Sequence, residues 1–412
     1  MIVLDNCLMF DGDSAELTEG SRIVVEEGMI REIAKAGGPS GRGKVIDMGG
    51  RFVMPGLIDA HFHSYWYEWD ATAIDATPPQ LRILYAKRLL EATLRRGFTT
   101  VRDAGGGDVT IARALELDLI DGPRFFYPGQ ALTQSGGHAD LRGRNHYGPD
   151  LREITGCAYA GTMSRTVDGP DEMRRVVREH LRQGATHIKL HTSGCPFPIE
   201  EDPVWYTQFT PEEIRVAVDE TTRRRRYVMA HAHSNEAAIM CAENGVRSIE
   251  HVSSIEADGA RAIAAHDAFA VPTLAALSAL VEAGPGMGLA QPLLEGAKEK
   301  AQRALTSIEL LRAAGARIGF GTDLCGVFGD RQLTEFRLRS EVCTPLETLR
   351  SATSVNARIM RREGELGTIA VGAHADLLAI DGNPLENIHV LTEQNRIAMV
   401  MRGGKIITGL PG

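Results

Sequence analysis

The chain is poor in several things that would assign it to a broad class at once. Its six cysteines (Cys7, Cys157, Cys195, Cys241, Cys325 and Cys343) are scattered through 412 residues, and no two form a C-x-x-C pair. That excludes a disulfide framework and a structural zinc ribbon. No stretch approaches eighteen uninterrupted apolar residues, so no membrane partner is expected. Strongly basic segments are also missing. The run Arg223-Arg224-Arg225-Arg226 stands between a helical pattern and a strand, where the helix dipole favours cations at a solvated end. With a formal net charge of −9, nucleic acid is not an expected partner. The opening residues Met1–Asn6 carry neither a basic region nor a long apolar one, so a cytoplasmic protein is expected.

What is present is a large apolar fraction, 43% of residues, enough for one large core and a small accessory domain. Residues 1–55 carry short alternating runs punctuated by Gly12, Gly20, Gly28 and Gly49-Gly50. A matching set returns in Leu366–Ile369, Asp376–Ile380 and Ile397–Met401, closed by Gly403-Gly404. This is the pattern of antiparallel strands. Neither half can bury its own face, so residues 1–55 and 365–412 are expected to pair into one composite β-sandwich.

Residues 56–364 alternate strand and helix. Strands are expected at Leu57–His63, Thr99–Asp103, Arg124–Gly129, His187–Thr192, Tyr227–His233, Arg247–His251, Ala268–Thr273 and Arg317–Thr322. Helices are expected between them, several starting at proline or a capping residue and several stopping at Gly97, Gly184, Gly245 or Gly315. Eight strands wrapped by helices predict an α/β fold, a (β/α)8 TIM barrel, whose chemistry belongs at the C-terminal strand ends.

Those strand ends carry the chemistry. Leu57-Ile58-Asp59-Ala60-His61-Phe62-His63 places two imidazoles at i and i+2, on one side of a strand. Alone, His-x-His is weak, and two polar residues at a strand terminus would explain it. Later strands, however, end in Lys189, His231, His251 and Asp323. Six groups from five strand ends can converge on metal ions. Lysine is the odd member, since an ammonium cannot ligate a cation. A neutral amine can take up CO2, and the resulting carbamate is an anionic ligand able to bridge two metals; burial and nearby metal charge favour the neutral form.

This ordered set, with Val53-Met54-Pro55-Gly56-Leu57-Ile58-Asp59-Ala60-His61 and Gly372-Ala373-His374-Ala375-Asp376-Leu377, resembles the binuclear amidohydrolase superfamily over essentially the whole chain. Gly136-Gly137-His138-Ala139-Asp140, Ile188–Gly194, His231-Ala232-His233 and Ser248-Ile249-Glu250-His251 resemble its imidazolonepropionase-related branch of metal-dependent dipeptidases. That branch includes prolidase-like and arginine-carboxypeptidase-like enzymes and ochratoxin-type amidases. Its members usually carry two glycines after the serine that follows the lysine strand; here the second is Cys195, so that loop departs from the pattern.

The resemblance implies that His61, His63 and Asp323 hold one divalent ion and His231 and His251 the other. Carbamylated Lys189 and a hydroxide would bridge them, with zinc expected and manganese or cobalt fitting the same geometry. Asp323 would move the proton between water and leaving amine. His233, on the same strand face as His231, and His138 are then candidates to bind a substrate α-carboxylate, aided by Tyr206. The remaining histidines, His191 among them, are expected to be structural or on the surface.

The expected substrate is a small-molecule amide, a dipeptide or N-acyl amino acid with a free carboxylate on the leaving side, cleaved by a homo-oligomer. A neutral carbamate, urea or anilide is the alternative, and the aromatic run Tyr65-Trp66-Tyr67-Glu68-Trp69 would suit it. If His233 were the ligand instead of His231, His233-Ser234-Asn235-Glu236 would match a mononuclear cyclic-amidine deaminase. A non-catalytic scaffold is disfavoured, since every ligand position is filled.

Overall fold

The computed structural model describes residues 1–38, 43–142, 163–194, 202–287 and 291–410. Five strands open the chain: β1 (Ile2–Met9), β2 (Thr18–Glu26), β3 (Met29–Lys35), β4 (Lys44–Asp47) and β5 (Phe52–Pro55). Ten follow through the centre: β6 (Leu57–Phe62), β7 (Phe98–Asp103), β8 (Arg124–Phe126), β9 (Ala131–Thr133), β10 (Ser164–Thr166), β11 (Ile188–His191), β12 (Val228–Ser234), β13 (Ser248–Ser254), β14 (Phe269–Val271) and β15 (Arg317–Ile318). Three close it: β16 (Leu377–Ile380), β17 (Ile397–Arg402) and β18 (Lys405–Gly409).

Both termini share one eight-stranded mixed sheet in the order β18-β17-β16-β5-β1-β2-β3, with β4 also paired to β1. The expected strand Leu366–Ile369 is not one; Ile369 N–H donates to Asp11 O instead. Period-two alternation gives this sheet two apolar faces. Leu377, Ala379, Met399 and Met401 pack with Leu4, Ile23 and Ile30. Their neighbours Leu378, Ile380 and Val400 pack instead against Leu57, Phe98 and Phe320 of the central segment. Each such fully buried side chain stabilises the fold by about 1.5–3 kcal/mol.

The central strands are parallel and fall into two sheets, β6-β7-β8 and β10-β9-β11-β12-β13-β14-β15. The ladder is therefore not the continuous ring of eight expected from the sequence. The third expected strand, Arg124–Gly129, stops at Phe126 as β8; β9 and β10 are additional, and the eighth shrinks to Arg317–Ile318. Single hydrogen bonds join the sheets at their margins: Ala60 N–H to Phe320 O (2.9 Å), Asp323 N–H to His61 O (2.8 Å) and Thr186 N–H to Tyr127 O (2.8 Å).

Helices form where the caps direct. Thr210 and Glu213 make a reciprocal capping box before Pro211–Arg223, as the run Thr210-Pro211-Glu212-Glu213 suggests. No helix among the described residues is long and apolar enough to cross a membrane. On β11 to β13 the alternation decides function. Ile188, Leu190, Val228, Ala230, Ala232 and Ile249 pack with the helices, while Lys189, His191, His231, His233 and Glu250 take the opposite face.

Candidate metal centre

That opposite face lines a cavity of about 350 Å³, and His61, His63, His138, Lys189, His191, His231, His233, His251 and Asp323 all border it. Among the described residues, three groups bring their donor atoms within 4.8 Å of one another: His61, His251 and Asp323; His231, His233 and His251; and His138, His191 and His231. The rings form a continuous arc with centroid separations of 4.4 Å (His138–His231), 4.6 Å (His231–His251), 4.7 Å (His251–His61) and 5.5 Å (His61–His63). Asp323 closes the arc, 3.2 Å from His63 Nε2, 3.4 Å from His61 Nε2 and 3.7 Å from His251 Nδ1.

Protein groups fix most of these rings through Nδ1. Glu250 Oε2 lies 2.8 Å from Nδ1 of His61, Gly105 O 3.2 Å from that of His63, and Asp202 Oδ2 2.6 Å from that of His138. Ser253 Oγ takes His233 and Thr273 Oγ1 takes His251, at 2.8 and 2.9 Å. Glu250 is in turn held by Arg102, whose Nη2 donates to Oε1 (2.9 Å) while Nη1 donates to Ser248 Oγ and Nε to Ala60 O. Arg102 and Glu250 are both fully buried. Burial alone would raise the Glu250 carboxyl, but Arg102 and His61 hold it below the usual range.

The electrostatics suit a cation. Burial, reinforced by neighbouring imidazoles, drives His231, His233, His251 and His191 well below the usual histidine range, leaving neutral rings with free lone pairs. Burial would raise the Asp323 carboxyl, yet His61, with His63 and His251, holds it well below its ordinary value. Burial brings the Lys189 amine down from 10.5 to about 8. His61 Nε2 is buried without a hydrogen-bond partner among the described residues. An orphaned imidazole nitrogen beside a carboxylate fits a divalent metal better than it fits any protein donor.

Backbone geometry is unusual here. His251 (φ 70°), Val252 (φ 43°) and Asp323 (φ 54°) all occupy the left-handed region, which costs of order 1–3 kcal/mol per residue and concentrates at functional sites. Gly321 is required by close approach: a Cβ there would sit 2.6 Å from His61 Cβ and 2.8 Å from Val271 Cγ1.

Every residue singled out as a ligand thus borders one cavity, and so do His138 and His233. Tyr206 does not; its hydroxyl accepts from Gln134 Nε2 (2.7 Å), whose own oxygen takes Phe209 N–H. His191, expected to be structural, faces the cavity with Nδ1 buried and unpartnered among the described residues. Glu236, the proton carrier of the deaminase alternative, is exposed and does not line the cavity. Cys195, Cys157 and His146 lie outside the described residues. Glu250 and Arg102 were missed. A charged residue inside each of two apolar strands, Thr99–Asp103 and Arg247–His251, was the available signal.

Residues 52–407 match the model of the amidohydrolase family, and the chain belongs to that family. It is a hydrolytic enzyme. It is 30% identical over 374 residues to ochratoxinase from Aspergillus niger, spanning 87% of this chain and 76% of that protein. Imidazolonepropionase from Deinococcus radiodurans is 24% identical over 418 residues, with 94% and 92% covered. A crystal structure of a prolidase complexed with N-methylphosphonate-L-proline superposes with a TM-score of 0.94 at 38% identity, covering 99% of this chain and 100% of that one. These relatives support the imidazolonepropionase-related branch read from the motifs.

Proposed function

We propose that this chain hydrolyses the amide bond of a dipeptide or N-acyl amino acid bearing a free carboxylate on its leaving side. The observation that carries the reading is the arc of imidazoles around one ionised carboxylate, Asp323, beside a buried lysine in an otherwise apolar cavity. A relative crystallised with a proline phosphonate, and another named for ochratoxin, support amide cleavage. In this reading the two parallel sheets are arcs of one (β/α)8 barrel over residues 56–364, and residues 1–55 and 365–412 form the accessory domain.

The residues would suit a pair of divalent cations: His61, His63 and Asp323 would hold one and His231 and His251 the other, with Lys189, as a carbamate, supplying a further anionic ligand. When bound, two such ions, zinc by donor type, supply a water of lowered pKa and polarise the scissile carbonyl. The protein does the rest. Asp323 accepts a proton from the attacking water and returns it to the nitrogen as the C–N bond breaks, so the amine leaves neutral. Asp202 accepts from Nδ1 of His138, so the ring, as an imidazolium, donates its Nε2–H to the leaving carboxylate beside His233.

The test is amine release from a panel of dipeptides and N-acyl amino acids, each paired with its C-terminal amide. His138→Ala is expected to weaken free acids much more than amides, because both changes remove the same interaction. Equal losses, or a wild-type preference for neutral ureas and carbamates, would replace this reading with the amidase alternative.

A further inference from the structure

The arc of rings has a direction. At one end His138 is stacked on His231 and backed by Asp202, and its backbone N–H donates to Gln208. At the other end His63 meets the edge of Trp66 at 5.1 Å. Trp69, Leu277, Leu280, Cys325 and Phe328 line the same cavity. Leu277 and Leu280 come from one face of the helix Leu274–Ala283, and Phe328 from the turn Gly326–Arg331. Trp69 lies edge-on to Phe328 at 6.3 Å.

This wall is built in, not draped over the site. Gly326 N–H donates to Trp66 O, and a Cβ on Gly326 would stand 2.6 Å from Tyr67 Cα, so the aromatic loop is seated directly on the next segment. Tyr67 turns away and stacks on Tyr85 at 4.2 Å, leaving the two tryptophans to the cavity. Trp66 and Trp69 pack with a buried cluster of Ala275, Ala279, Leu324, Cys325 and Phe328. Apolar surface held against water in this way gains free energy only when a ligand covers it.

We propose that this wall receives a bulky apolar acyl group. The preferred substrates are then N-blocked amino acids with an aromatic or long alkyl acyl part, its carboxylate at the His138 end and its acyl group against Trp66 and Trp69. The proposal rests on the reading that His138 meets the leaving carboxylate, because the scissile bond must lie between the two ends.

The experiment is kcat/KM of the metal-replete enzyme on N-formyl-, N-acetyl-, N-hexanoyl- and N-benzoylalanine, with alanylalanine as a charged, small comparison. Each methylene buried is worth about fourfold, so N-hexanoyl should exceed N-acetyl by on the order of 100-fold. N-benzoyl should rank beside N-hexanoyl, and alanylalanine near or below N-acetyl. Trp69→Ala, a half-buried position, should flatten the series by lowering the long acyl substrates more than the short ones. Leu280→Ala is the second variant and should do the same. A flat series in the wild type, a preference for alanylalanine, or variants that lower all substrates equally would overturn the proposal while leaving amide hydrolysis intact. Hydrolysis of none of them would overturn the underlying reading instead.

Discussion

Glu250→Gln tests whether the buried Arg102–Glu250–His61 chain governs the metal site. The substitution keeps the shape and removes one charge. Arg102 Nη2 and Ser248 Oγ both donate to Oε1, at 2.9 and 2.7 Å, so the amide oxygen must take that side and the amide NH2 must face His61. His61 Nδ1 now donates to a carboxylate; against NH2 it can only accept. Its proton is driven to Nε2, the nitrogen turned toward Asp323, and the lone pair a cation needs is lost.

Two magnitudes follow. Changes to the partner of a metal-binding histidine cost roughly 10–100-fold in metal affinity. Separately, removing one charge of a fully buried pair costs about 3–5 kcal/mol, because the other stays uncompensated. Competitive metal titration reads the first and denaturant unfolding of the metal-free protein reads the second. Adding Arg102→Met to Glu250→Gln should recover most of the stability, since no buried charge is left alone, yet recover none of the affinity. Wild-type affinity in Glu250→Gln, or affinity restored in the double variant, would refute the positioning role.

Other outcomes follow from the same geometry. Lys189→Ala should lose metal and activity together, with partial rescue by small carboxylic acids standing in for a carbamate. In the wild type, the fall of the Lys189 amine from 10.5 to about 8 makes the neutral form available near neutrality. Because only that form takes up CO2, reactivation of stripped enzyme should need bicarbonate and slow as pH falls below about 8; reactivation indifferent to both would remove the carbamate. Asp323→Asn should keep much of its metal, since the amide oxygen still coordinates, but lose roughly 10²–10⁴ in kcat with its proton acceptor gone. A near-normal kcat would make His233 the first alternative base. Gly321→Ala forces a methyl into contact with His61 Cβ and Val271, and overpacking of this kind costs about 1–3 kcal/mol. Thermal unfolding and metal content should fall together, and an unperturbed variant would show that the segment after β15 can retreat from His61.

What could be read from the residues was what obeys a period. Two histidines at i and i+2 had to share a face, and Lys189 and His231 lie opposite Ile188 and Val228 because strands alternate, whereas His251 has the parity of Ile249 and lines the cavity where the backbone turns left-handed. Helix starts at Pro170 and Pro211 were legible because proline and capping residues act locally, and the start expected at Pro78 falls one residue later. Strand pairing was not, because it is decided across the fold. Pro128-Gly129 signals the turn that ends β8, but nothing local announces that Ala131–Thr133 pairs with β11 or that Ser164–Thr166 joins beside it. The place of Tyr206 is likewise set across the fold. Its loop position suggested the cavity, but Gln134, 72 residues earlier, takes its hydroxyl.

The ligand set and the groups that aim it therefore have different visibility. A donor declares itself by residue type at a strand end, whereas its anchor is ordinary by type: Thr273 for His251, a Gly105 carbonyl for His63. Yet the anchors settle what the donors can do. An imidazole with Nδ1 taken by the protein has one free nitrogen and one ring orientation, so it loses little freedom when a cation arrives. The left-handed backbone at His251, Val252 and Asp323 belongs to the same economy of position. Those conformations cost energy that surrounding contacts must offset, including Asp323 N–H donating to His61 O and Thr273 holding the His251 ring. A fold that bears that cost to point two donors inward has fixed its site before any ligand is bound.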